Sequence, residues 1–283
     1  MTLARCMATV VVLLTWPVAT AAQPAAPAPP PDPDRGIPTS MFGTFINKGE
    51  LIVYPFFEAY ADDNFEYKPE ELGATGDVDY RGRYRAKEGL IMLAYGLTDR
   101  VAIELEMAGI SAMLDKAPGD PSALPSRIRE SGLGDVEGQV RWRWNRESAT
   151  RPEVFSYTEF VVPHHTDKVL IGTPGAEIKF GTGVARGLSW GTVIARAAIE
   201  YAAGSSSHFD TGEYAIEVIK PLGRRFRLYA GLEGATDEVS AIGEIQWRLN
   251  RHAIIKANTG IGLTSKATDF APEIGMLFTL PIK

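Results

Sequence analysis

The stretch GDVEGQVRWRWN, from Gly134 to Asn145, constrains the fold more than any other in this chain. Val136, Gly138, Val140, Trp142 and Trp144 share one parity, and Asp135, Glu137, Gln139, Arg141 and Arg143 share the other. A helix would scatter both sets around its axis. A β-strand points successive side chains to opposite faces and separates them completely. The chain therefore needs a sheet with one apolar face and one charged face.

The N-terminus indicates where such a sheet would sit. A single basic residue, Arg5, precedes an apolar run over 7–18, and the small residues Ala19, Thr20, Ala21 and Ala22 follow. That order predicts a secretory signal peptide over 1–22, the run being too short for a membrane-spanning helix. The only cysteine, Cys6, lies in that segment, so a mature chain would hold no disulfide, thiolate metal site or cysteine nucleophile. Loss of Arg5 takes the formal charge from -6 to -7, which argues against a nucleic-acid partner.

Residues 23–48 open on QPAAPAPPPDPDRGIP and are expected to form a Pro-rich disordered arm. Sequence alone leaves open whether the arm enters the pore or hangs in the periplasm. From 49 to 283 no long apolar run and no amphipathic helix of ordinary length stands out. Instead about twelve alternating segments succeed one another, at 51–61, 83–97, 101–112, 134–144, 153–163, 177–188, 192–203, 213–222, 226–235, 241–249, 253–264 and 270–280. Each has roughly the ~9–11 residues that a tilted transmembrane strand requires.

The links between segments add a second period. Those at 98–100, 145–152, 189–191, 223–225 and 250–252 are short, while those after the first, third and fifth segments are long and rich in Gly, Pro and Asp. Tight periplasmic turns alternating with longer outer loops predict an all-β fold, a closed antiparallel transmembrane barrel of about twelve strands in up-and-down order. Both ends of the barrel would then face the periplasm, and the protein would sit among the lipids of a Gram-negative-type outer membrane.

The wall and lumen come from parity. Val101, Ile103, Leu105 and Met107 stand opposite Glu104 and Glu106, and Ile245, Trp247 and Leu249 opposite Glu244, Gln246 and Arg248. Lys220 shares parity with Tyr214, Ile216 and Val218, but it adjoins the Gly223 turn and can reach headgroups. Tyr95, Trp142, Trp144, Trp190, Phe226 and Trp247 gather at the short-turn ends, as a periplasmic-side aromatic girdle would.

Two stretches also carry a family resemblance. YGLTDRVAIELEM over 95–107 and SGLGDVEGQVRWRW over 131–144 resemble the signatures of the outer-membrane protein family associated with the meta-pathway of phenol degradation. The resemblance implies an outer-membrane barrel of transport type and supplies no substrate and no catalytic set. GLTDR reads as a tight turn and GLGD as a bulge or rim bend. If the two strands pair across the long loop, Glu104 and Glu106 should meet Arg141 and Arg143 in a lumenal ion-pair ladder.

The expected lumen lining contains Tyr54, Phe56, Glu58, Glu104, Glu106, Asp135, Glu137, Arg141, Arg143, Tyr157, Glu159, Lys179, Arg196, Glu200, Arg227, Tyr229, Glu233, Glu244, Arg248, Lys256 and Glu273. Mixed signs predict weak ion selectivity, and twelve strands leave a narrow path. Placing Glu58 and Glu159 inward turns Tyr54, Phe56, Tyr60, Phe155 and Tyr157 inward too, unless a bulge sends those rings to lipid. An aromatic-lined passage would suit small hydrophobic or aromatic solutes crossing by passive diffusion. The alternatives are a plugged structural or surface-interaction barrel and an outer-membrane hydrolase. For the last, His164, His165 and Asp167 offer no Ser-His spacing, so no catalytic residue, metal or cofactor is expected. Oligomeric state is not legible.

Overall fold

The computed structural model describes residues 36–203, 209–236 and 238–282. The expected signal segment and the proline-rich part of the arm lie outside them. Two short strands, β1 (Ile37–Pro38) and β2 (Phe45–Ile46), come first. Twelve long ones complete the order: β3 (Glu50–Tyr67), β4 (Tyr80–Gly96), β5 (Val101–Asp115), β6 (Arg127–Asn145), β7 (Glu153–Val162), β8 (Glu177–Leu188), β9 (Gly191–Ala202), β10 (Phe209–Leu222), β11 (Phe226–Ala235), β12 (Glu238–Asn250), β13 (Ala253–Gly262) and β14 (Ala271–Pro281).

Each long strand pairs antiparallel with its sequence neighbours, and β14 closes on β3 through pairs such as Phe278↔Val53 and Leu280↔Leu51. The result is a closed twelve-stranded barrel, the architecture of an outer-membrane protein. Closure leaves no strand edge, so backbone groups in hydrocarbon find partners within the wall. The links 97–100, 146–152, 189–190, 223–225 and 251–252 share one end with Glu50 and Pro281; links 68–79, 116–126 and 163–176 lie at the other. One link at that far end, 236–237, is short.

Alternation decides what each face meets. Ile103, Leu105, Met107, Val140, Phe180, Ile199, Ile216, Ile245 and Ile274 are exposed and form the wall that lipid covers. In water so continuous an apolar surface would be an aggregation site. The opposite parity is buried: Arg141 is 1 % exposed, while Trp144, three residues along on the other face, is 59 % exposed. Trp142 and Trp144 meet edge to face at 5.8 Å, and Phe226 stacks on Trp247 at 6.1 Å, both pairs at the short-turn end with Tyr95 and Trp190.

Strands β3 to β6 run to 18, 17, 15 and 19 residues, longer than the alternation in sequence indicates. Their extensions come after register shifts, between Asp62 and Phe65 against β4 and between Met107 and Gly109 against β6. In β6 the shift falls at Gly134 and Asp135 and exchanges parity, so Leu133 and Arg129 face outward above it.

Candidate functional site

The lumen at the short-turn end is occupied by the chain's own N-terminal segment. The sequence assigns residues 36–48 to a disordered arm; instead Gly36–Lys48 doubles back as a hairpin, with Ile37↔Ile46 and Pro38↔Phe45 paired. Its turn is closed by Thr39 N–H to the Thr44 carbonyl at 2.8 Å and Thr44 N–H to the Met41 carbonyl at 2.7 Å. Gly43 takes φ 61° there, and a Cβ on it would stand 2.6 Å from the Ile219 side chain, so only glycine fits. The apolar residues Ile37, Met41, Phe42, Phe45 and Ile46 explain the difference: proline-rich sequence ends at Pro38, and residues 39–46 are too hydrophobic to remain solvated.

Those side chains pack on the lumenal rings. Ile37, Met41 and Ile46 join Ile52, Tyr54, Phe56, Met92 and Leu277, and Phe42 and Phe45 join Phe155, Tyr157, Ile219 and Tyr229. The rings of Tyr54, Phe56, Phe155, Tyr157 and Tyr229 are buried and face inward; for Tyr54 and Phe56 the β3 register shift lies beyond them at Asp62. Tyr54 stacks on Phe56 at 4.6 Å and donates its hydroxyl to Glu273. Gly181 sits across from Tyr157, where a Cβ would come within 2.1 Å of the ring. The aromatic column is thus a socket filled by the hairpin.

Buried polar side chains grip the hairpin's backbone. Arg141 Nη1 donates to the Pro38 carbonyl at 2.6 Å and its Nε to Gln139 at 2.9 Å, with the guanidinium over Phe155 and Tyr157 at 5.1 and 4.9 Å. Arg143 donates to the carbonyls of Gly36 and Asp99 and pairs with Glu153 at 2.9 Å. Glu104 accepts from the Ser40 amide at 3.2 Å and from its hydroxyl. Across the lumen, Gln246 donates to the Phe42 carbonyl at 2.8 Å, and Lys256 reaches Thr44 while lying over Phe42 and Tyr54 at 5.3 and 4.8 Å. Lys256 also pairs with Glu244 at 3.5 Å.

The expected ion-pair ladder does not form. Register sets Glu104 opposite Gln139, Glu106 opposite Glu137 and Arg141 opposite Ala102. Arginines and glutamates are offset by two residues or more along the strands, and the arginines lie level with the hairpin instead.

Above the hairpin tip is a cavity of about 320 Å³, lined by Ser40, Met41 and Phe42 below and by Glu106, Glu137, Glu159, Arg196, Glu213 and Glu233 around it. Arg196 pairs with Glu213, Glu217 and Glu233 at 2.6, 3.1 and 3.4 Å; Lys179 pairs with Glu159, Glu213 and Glu200 at 3.0, 3.4 and 3.9 Å. Glu106 and Glu137 stand directly opposite each other, and among the described residues neither has an ion pair. Carboxylates outnumber cations around this space, which favours small cations over anions. Glu58 is half-buried on the lumenal parity of β3, and Arg227 and Arg248 are half-buried on the lumenal parity of β11 and β12.

Asp135 lies in the β6 bulge and is tied to the link 163–176. Its carboxylate accepts the His164 and Thr173 amides, each at 2.7 Å, while Glu130 accepts those of Val169 and Leu170 at 3.2 and 2.8 Å. These bonds fold link 163–176 inward, so that Ile171 packs on the inward-facing Ala86 and Ala112. Glu130, Glu213 and the hairpin residues escape sequence reasoning, while Gln139 and Gln246 lie on the lumenal parity that the sequence assigns them. Only the run of apolar residues after Pro38 could have flagged the hairpin.

No protein-family profile matches the chain, and no curated protein does. Among solved structures it is similar to an outer-membrane channel from Pseudomonas putida F1, at 16 % identity and TM-score 0.61 over 83 % of this chain and 97 % of the other. It is also similar to the translocator domain of the autotransporter NalP from Neisseria meningitidis, at 9 % identity and TM-score 0.51 over 82 % and 88 %. At these identities the likeness is one of fold, that of an outer-membrane barrel.

Proposed function

We propose that this protein is an outer-membrane channel for small solutes, aromatic and hydrophobic ones among them, which diffuse passively through the lumen when the hairpin at 36–48 leaves its socket. The observation that carries the reading is the cavity of about 320 Å³ floored by Ser40, Met41 and Phe42 of the hairpin, whose apolar side chains fill a socket that includes five aromatic rings. Withdrawal of Ile37, Met41, Phe42, Phe45 and Ile46 exchanges one set of apolar contacts for another that a small aromatic solute could make. The resemblance of residues 95–107 and 131–144 to a family associated with phenol degradation is consistent with this solute class but supplies no substrate. No catalytic step is needed or assigned.

A permanently closed barrel is the second reading, and it is favoured by the number of contacts the hairpin makes. Conductance of the folded mature chain in a planar bilayer separates the two. Discrete steps that small phenols interrupt are expected of a channel with an aromatic-binding path. Silence from protein shown to be folded and inserted would establish the closed barrel instead.

A further inference from the structure

The outward face of the long strands carries a feature that solute passage does not use. Above the bulge level, three rows of outward side chains run across β4, β5 and β6: Lys87, Ser111 and Ser131; Arg85, Met113 and Arg129; Arg83, Asp115 and Arg127. They continue the parity of Ile91, Ile103, Leu105, Met107 and Leu133, which face lipid. Five cations therefore stand on the outer wall of a protein whose net charge is -6, against two neighbouring carboxylates, Asp63 and Asp115. Asp63 holds Arg83 at 3.2 Å and Arg85 at 2.5 Å, and Asp115 holds Arg127. Among the described residues Lys87 and Arg129 have no ion pair.

Height along the barrel identifies what they meet. From Tyr95 in the aromatic girdle to Arg85 is ten residues of β4, about 34 Å along a strand and about 25 Å along the membrane normal at a ~40° tilt. That equals the ~25 Å height of the apolar band of such barrels, so the Arg85 row stands at the headgroups of the outer leaflet. The cations also occupy one side only. At the same end of β8, β9 and β10 the outward residues are Ile178, Ile199, Tyr201 and Phe209, all exposed.

We propose that the β4–β6 sector is a binding site for one phosphate-bearing glycolipid headgroup of the outer leaflet. Lys87 and Arg129 supply the charged donors, Arg85, held by Asp63 and by the Asp62 and Tyr84 carbonyls, adds positive charge beside them, and the Ser111 and Ser131 hydroxyls lie in the row of Lys87. Guanidinium and ammonium groups spaced along neighbouring strands match the separate oxygens of a phosphate, and the low-dielectric boundary strengthens each contact. The lipid's chains would then lie over Ile91, Leu105 and Met107.

Native mass spectrometry of the detergent-solubilised, folded barrel titrated with bis-phosphorylated lipid A tests this. One saturable adduct is expected, weakened at least about tenfold in R85Q/K87Q/R129Q and unchanged in R224Q/R225Q at the opposite rim. The loss of three positive charges at the membrane surface sets that scale. Lipid A stripped of its phosphates should not bind, and inorganic phosphate should not displace the adduct. Equal binding by the triple variant, equal binding of the dephosphorylated lipid, or displacement by free phosphate would each overturn the assignment. Should the triple variant fail to fold, R129Q alone and the salt dependence of the wild-type adduct decide: binding indifferent to both contradicts the site.

Discussion

The Arg141 guanidinium donates to the carbonyl of Pro38 at 2.6 Å, joining a side chain of the barrel wall to the backbone of the segment that fills it. The donor is fully buried, and its other contacts, to Gln139, Phe155 and Tyr157, hold it rigidly in place. Replacing Arg141 with Met keeps much of the volume but removes the charge-assisted bond, worth about 1.5–3 kcal/mol. The hairpin should dock roughly 10- to 100-fold less tightly, and single-channel recordings should show a higher open fraction. The barrel itself should stay folded, as judged by its heat-modifiable mobility in SDS gels.

The turn offers an independent way to loosen the same element. Gly43→Val forces a β-branched residue into φ 61° and against Ile219. The strain, about 1–3 kcal/mol, falls on the hairpin and not on the wall. Hydrogen exchange at the Thr39 and Thr44 amides should accelerate strongly, while amides in β11 and β12 keep their protection.

The lipid-facing register predicts an unequal pair of variants. Val140→Arg places a charge on the outer wall two residues from Trp142 of the girdle, at a cost between the ~0–1 kcal/mol of the interface and the ~2–4 kcal/mol of the midplane, whereas Gln139→Arg enters the lumen beside Glu159, which can accept it. Assembly into lipid vesicles should fall for the first and change little for the second. Equal yields would show that the alternation has been assigned to the wrong faces.

Charge around the cavity makes a fourth expectation. The mixed signs in the sequence imply weak selectivity, but the three-dimensional arrangement leaves Glu106 and Glu137 facing each other without a cation between them. A salt gradient across a bilayer should give a reversal potential of cation-selective sign. E106Q/E137Q should move it toward zero with little change in folding.

Much of the architecture can be read from the sequence because a transmembrane barrel imposes a simple rule. Lipid on one side and lumen on the other force a two-residue period, and the requirement for paired backbone sets strand length and loop order. Strand number and the inward direction of Arg141, Glu159 and Tyr229 come from that rule. Register across the long β5–β6 loop does not, since alternation is unchanged by a shift of two residues; the expected ladder from Glu104 and Glu106 to Arg141 and Arg143 fails for this reason. The hairpin is hidden because proline dominates the first half of 23–48, although Ile37, Phe42 and Phe45 are apolar enough to seek cover. The bulge at Gly134 and Asp135 is the one that GLGD suggests, but the hold of the Asp135 carboxylate on the 163–176 link leaves no trace in the sequence.

The contact between Ser40 at the hairpin tip and Glu104 on β5 allows the most direct test of gating by the hairpin. Beyond Cys6 the chain has no cysteine, so S40C/E104C in a chain that starts at Gln23 carries a single pair of thiols able to bond the hairpin to the wall. Conductance would be recorded in one bilayer before and after reduction. If the hairpin must leave for solute to pass, the oxidised protein is silent and reduction restores open events to the wild-type level. Open events of full size from protein with the disulfide intact would contradict gating, because solute would then be passing a hairpin that cannot leave.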